Sequence, residues 1–139
     1  MPDRDQLLRT IDDAYAARMR GDGEALGALF APSATFRFGG DPTLVQSEAP
    51  LAPGEVGPAV ARLIELFRFH ELERVDAVVE GNSVAVHSRF RVSTGGGEPV
   101  ESELYDLWKF DEAGRVTSLL QFADTALMRH MLQGAKQPA

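Results

Sequence analysis

The apolar positions of this chain keep a helical spacing in its first third and a strand spacing in its second half. Leu7, Leu8, Ile11, Tyr15 and Met19 recur at intervals of three and four, which predicts an amphipathic helix over about residues 3–20. Gly21 ends it. Asp22 stands where an N-cap belongs, ahead of a short helix carrying Leu26, Leu29 and Phe30 that Pro32 closes. Ala34-Thr35-Phe36-Arg37-Phe38 alternates and reads as a strand. From 39 to 57 the periodicity is lost in a stretch rich in Gly, Pro and acidic residues, long enough to predict a lid or binding loop. Gly57-Pro58 opens a third helix whose buried face is Val56, Val60, Leu63, Ile64 and Phe67.

From Glu71 the period changes to two. Four strands are predicted at about 71–80, 83–94, 99–110 and 115–123. Gly81-Asn82, Gly95-Gly96-Gly97 and Asp111-Glu112-Ala113-Gly114 connect them, each short enough for a hairpin, so the strands form an antiparallel meander. Asp124 caps a last helix with Leu127, Met128, Met131 and Leu132, which Gly134 ends. The resulting fold class is α+β. A curved antiparallel sheet wraps around the N-terminal helices, forming a cone with an internal pocket. Residues 1–139 read as one domain, with no internal repeat or linker.

Composition narrows the function. The 44 % of apolar residues supply a core, while the absence of cysteine excludes disulfides and thiolate metal sites. A net charge of −7 with scattered arginines argues against nucleic acid or an anionic membrane as partner. No apolar run approaches the ~20 residues of a membrane helix, and the polar start of the chain predicts a cytoplasmic location.

Two segments carry a family resemblance. Arg20-Gly21-Asp22-Gly23-Glu24-Ala25-Leu26, continued by Leu29-Phe30-Ala31-Pro32-Ser33-Ala34-Thr35-Phe36, is similar to the helix–turn–helix–strand opening of the ketosteroid isomerase and nuclear transport factor 2 superfamily. Asp106-Leu107-Trp108-Lys109-Phe110-Asp111-Glu112-Ala113-Gly114-Arg115-Val116 resembles its strand–turn–strand hairpin, and SnoaL-type polyketide cyclases share the pattern. The resemblance implies the same cone and a pocket for a small hydrophobic organic ligand, with no cofactor. Of the isomerase's three site residues, the sheet aspartate corresponds to Asp106. The helix tyrosine corresponds to Ala14, with Tyr15 one step away. The aspartate base corresponds to Phe38, and Asp41 reaches that place only by an insertion. The resemblance thus implies the pocket and argues against authentic steroid isomerisation.

Alternation points to the same aspartate. Leu104, Asp106, Trp108 and Phe110 share a face, and three of the four are large and apolar. A carboxylate there is desolvated, its pKa rises, and it can serve as acid, base or oxyanion donor. The candidate catalytic residues are Asp106, Tyr15 and Asp41. The candidate substrate-binding residues are Met19, Phe36, Phe38, Phe67, Leu104, Trp108 and Gln121. Gln121 either orients a substrate or satisfies Asp106, and Ser88 reads as a satisfied inward hydroxyl. His70, His87 and His130 lack metal spacing and fit a solvated face, so no metal is expected. A hydration reaction of the limonene-epoxide-hydrolase kind needs an Asp–Arg–Asp set, and Arg89 falls on the outward parity. Tyr105, Leu107, Leu120 and Phe122 occupy that outer parity too. A homodimer through this face is the simplest cover for them. The functional expectation is acid–base chemistry on a small carbonyl or polyketide-like compound. The alternative is a binding or dimerisation domain without chemistry.

Overall fold

The computed structural model describes residues 2–40 and 56–136. Its elements run α1 (Arg4–Met19), α2 (Gly23–Gly27), β1 (Phe30–Phe38), α3 (Val56–Leu66), β2 (Arg68–Glu80), β3 (Ser83–Ser93), β4 (Val100–Phe110), β5 (Val116–Ala123) and α4 (Thr125–Lys136). The five strands form one curved, unclosed sheet in the order β1-β5-β4-β3-β2, with β1 parallel to β5 and every other pair antiparallel.

Local chemistry starts and stops these elements. The Asp3 side chain accepts the Gln6 N–H at 2.9 Å while Gln6 Oε1 accepts the Asp3 N–H at 2.8 Å, a reciprocal cap that opens α1. Asp22 accepts from the Ala25 N–H at 3.0 Å and Asp124 from the Leu127 N–H at 3.0 Å, so both predicted caps are in place. The β2–β3 hairpin closes with the two residues Gly81-Asn82 between Glu80 and Ser83, and Gly81 takes a φ of 58°, as a tight hairpin turn requires.

Several boundaries differ from the sequence reading. The second helix stops at Gly27, and Leu29 and Phe30 lie outside it. Pro32 does not close a helix but sits within β1. There the register jumps from Phe30 opposite Val116 to Thr35 opposite Ser118, an irregularity in which a missing N–H costs no ladder bond. Gly134 does not end α4, which runs on to Lys136.

Inward side chains from the sheet meet α1, α2 and α3 in one apolar cluster that includes Leu7, Ile11, Val84, Val86, Trp108 and Val116. Alternation along β4 is as expected: Leu104, Asp106, Trp108 and Phe110 are all buried. Across the top of the cone, Arg74 on β2 grips Asp12 on α1 through two hydrogen bonds of 3.0 and 3.1 Å, which fixes the helix over the sheet.

Candidate acid–base pocket

The helix stripe and the β4 alternation converge on one polar contact. Tyr15 Oη donates to Asp106 Oδ2 at 2.7 Å. Asp106 is fully buried, and Oδ1 has no hydrogen-bond partner among the described residues. Burial drives its pKa up to about 6. The Tyr15 hydroxyl and the Gln121 amide, which sits opposite it on β5, pull the other way. The Tyr15 hydroxyl is itself held far above its ordinary value, first by burial and then by the Asp106 charge, so it stays protonated. Its ring meets Trp108 edge-on at 5.9 Å between centroids.

Two unpartnered groups share this neighbourhood. Ser88 Oγ and Trp108 Nε1 are buried beside the Tyr15 hydroxyl, near enough to favour its ionised form as donors but outside hydrogen-bond geometry. Ser88 is therefore not the satisfied hydroxyl the sequence suggests. With Asp106 Oδ1 it leaves unused hydrogen-bonding capacity in an apolar interior, a costly arrangement that marks a candidate site.

A cavity of about 40 Å³ adjoins the pair, walled by Ala14, Tyr15, Leu26, Phe30, Phe36, Leu119 and Trp108, with Arg18 and Gln121 as further polar groups. A second, of about 20 Å³, lies beside Phe38, Phe67, Val92 and Met128. Arg18, Leu63, Phe69, Leu104 and Gln121 border both. Both are small, so the pocket suits a compact ligand and not a drug-sized molecule.

The residues predicted as lining fall as follows. Tyr15, Phe36 and Trp108 line the first cavity, Phe38 and Phe67 the second, and Leu104 and Gln121 both. Met19 lines neither and is half-buried. The inward stripe of α1 runs through Ala14, Ala17 and Arg18, and Met19 lies one step round the helix. Asp106 is not on the cavity wall; it lies directly behind Tyr15, which is. Asp41 and most of the predicted lid lie outside the described residues. His70 is part-buried, with Nε2 2.7 Å from Ser93 Oγ, while His87 stays on the outer face with Nε2 2.8 Å from Oε1 of the exposed Glu103. No metal-binding cluster occurs among the described residues.

Sequence reasoning missed Arg18. The signal was available: Ile11, Ala14 and Arg18 continue the buried stripe of α1 at intervals of three and four, so an arginine stands where an apolar residue is expected.

An α+β cone with a titratable pair at the edge of an apolar pocket defines a class of small pocket domains. The chain belongs to the SnoaL-like domain family, whose model matches residues 11–119. Among solved structures it is similar to an NTF2-like protein of unknown function from Burkholderia pseudomallei, at 19% identity and a TM-score of 0.76, with 91% of this chain and 97% of that one covered. It is also similar to an epoxide hydrolase of the LEH-like type from M. tuberculosis, at 16% identity and a TM-score of 0.72, with 96% and 94% covered. A third likeness is to a protein of ketosteroid isomerase-like fold from Catenulispora acidiphila in complex with trimethylamine, at 19% identity and a TM-score of 0.66, with 81% and 82% covered. No curated protein matches the chain. No helix among the described residues is long and apolar enough to cross a membrane.

Proposed function

We propose that the protein binds a small, mostly apolar carbonyl or polyketide-like compound and moves a proton on it through the Tyr15–Asp106 pair, without a cofactor. The observation that carries this reading is a fully buried aspartate, its pKa pushed up to about 6, bonded at 2.7 Å to a tyrosine that lines an apolar pocket. A pKa near the working pH is what general acid–base catalysis needs.

The chain's own groups divide the work. At neutral pH Asp106 is mostly ionised, and it accepts the Tyr15 proton in a hydrogen bond. The tyrosine oxygen then presents a lone pair to the cavity. When that oxygen takes a proton from the carbon beside a ligand carbonyl, Tyr15 passes its own proton to Asp106 in the same step. Tyr15 ends neutral, Asp106 ends protonated, and the ligand is left as an enolate. No free phenolate forms, so the raised pKa of Tyr15 is no obstacle. Return of the proton at a second position completes an isomerisation or a cyclisation.

The test is deuterium exchange beside the carbonyl of cyclohexanone and 1-indanone in D₂O, followed by NMR. Exchange should rise through about pH 6 to a plateau, and it should fall by roughly 10²-fold or more in Asp106→Asn. Binding with no exchange at any pH would leave only the second reading, a binding or dimerisation domain. One observation favours that second reading: buried Phe38 occupies the place where the resemblance puts the isomerase's base. Epoxide hydration gains no support, because neither cavity wall carries a carboxylate among the described residues.

Assembly as a homodimer through the outer sheet face belongs to the same proposal. Val78, Ala85, Leu107 and Leu120 form one cross-strand row on that face, and Tyr105 and Phe122 pair in the next. Val78, Tyr105 and Phe122 are 58%, 50% and 45% exposed, more large apolar surface than a wet sheet face usually carries.

A further inference from the structure

Arg18 is the charged group on the pocket wall that the Tyr15–Asp106 chemistry leaves unused. It follows Tyr15 by three positions on α1, so both side chains leave the same face of the helix and both line the first cavity. Its Nη2 donates to the carbonyls of Leu63 at 3.1 Å and Phe67 at 2.6 Å, and its guanidinium lies over the Phe69 ring at 3.8 Å from the centroid. Burial lowers its pKa to about 10, which leaves it a cation at neutral pH.

These contacts hold the guanidinium without neutralising it. Among the described residues no Asp or Glu pairs with it, and burial is the one influence on its pKa. A guanidinium has five N–H donors, and the two carbonyl bonds use Nη2 alone, so the Nε and Nη1 donors remain. A partly desolvated cation without a counter-charge is expensive, and an anion that supplies that counter-charge recovers the cost. The two cavities flank the side chain, so an anion can reach it while Leu63 and Phe67 keep it in place.

We propose that Arg18 is an anion subsite and that the ligand is a small apolar monoacid, a ring or short hydrocarbon bearing one carboxylate. This deepens the functional reading above and rests on its claim that the pocket takes a small molecule. The guanidinium fork matches a carboxylate in shape, and the apolar walls accept the hydrocarbon part. A second ligand charge would be stranded against those walls or repelled by Asp106, so diacids and phosphates are disfavoured.

Trp108 is the only tryptophan in the chain and lines the first cavity, so its fluorescence reports occupancy. The probes are matched pairs at neutral pH: benzoate against benzamide, and cyclohexanecarboxylate against its amide. Each acid should bind about tenfold or more tighter than its amide, a preference that Arg18→Gln erases. Arg18→Lys should keep part of it. Equal binding of acid and amide by the unaltered protein overturns the anion subsite and leaves the pocket reading standing, and that comparison needs no folded variant. A preference that survives Arg18→Gln also overturns it. If no probe is bound up to about 10 mM, the pocket reading fails and takes the subsite with it. An acid preference without deuterium exchange sinks the chemistry but keeps the subsite.

Discussion

Replacing Asp106 by Asn should make the protein relatively more stable as the pH rises, by an amount the structure sets. In the unfolded chain this carboxyl titrates at its ordinary value of 3.8, and in the fold at about 6. A raised carboxylate pKa means that the fold prefers the protonated form. Below the unfolded value both states are protonated and the group is neutral toward folding. Through the window from about 4 to 6 the unfolded chain ionises first, and stability is lost until the folded pKa is passed. The shift of roughly two pKa units corresponds to about 3 kcal/mol of stability lost by neutral pH. Asparagine keeps the size of the side chain and can still accept from Tyr15, but carries no titration. Urea unfolding of both proteins from pH 3.5 to 8 isolates this contribution, because every other titrating group cancels in the difference. That difference should swing by about 3 kcal/mol in favour of the variant, on the order of 10 °C in Tm for a chain of this length. A flat difference across the range would mean that Asp106 is not desolvated as its surroundings imply. A swing of the opposite sign would mean that its charged form is the stabilised one, and the acid–base reading would lose its basis.

The partner residues give further tests. Tyr15→Phe removes the hydrogen bond that steadies the ionised Asp106, so stability should fall by about 1.5–3 kcal/mol at pH 8, measured by urea unfolding, and by less at pH 4. In the same variant the Asp106 pKa should rise further, read from the pH dependence of its stability, since one of the two groups that lower it is gone, and deuterium exchange should be lost with the oxygen that takes the ligand proton. Phe122→Asp should convert a dimer into a monomer in sedimentation velocity with little change in the fold, because the ring is half exposed in the single chain. A monomer at micromolar concentration before the substitution would refute the outer-face interface.

How much of this was legible in the sequence depends on how local each cause is. The caps of α2 and α4 and the two-residue turn at Gly81-Asn82 are set within a few residues, so spacing alone places them. Strand parity is equally local: Asp106 lies between Leu104 and Trp108, and two-residue periodicity suffices to bury it. Pro32 shows where local reasoning ends. It reads as a helix stop, yet β1 absorbs it because pairing with β5, some eighty residues on, tolerates an irregular register there.

The pocket required what no window of sequence contains. Tyr15 and Asp106 are 91 positions apart, and Met19 and Arg18 differ by one place on a helix whose final rotation is decided by the sheet beneath it. That rotation turns a methionine away and an arginine in, and so changes the character of the site from an oily slot to an apolar pocket with a fixed positive charge. The same rotation brings the Tyr15 hydroxyl onto Asp106 and makes the tyrosine, not the aspartate, the group that faces the cavity. A buried carboxyl behind a tyrosine and a part-buried guanidinium three residues further along the helix are two opposite charges on one small volume. The first stores a proton and the second holds a counter-charge. A molecule that needs both, an acid with an activated carbon, is the ligand whose transfer from water costs this pocket least.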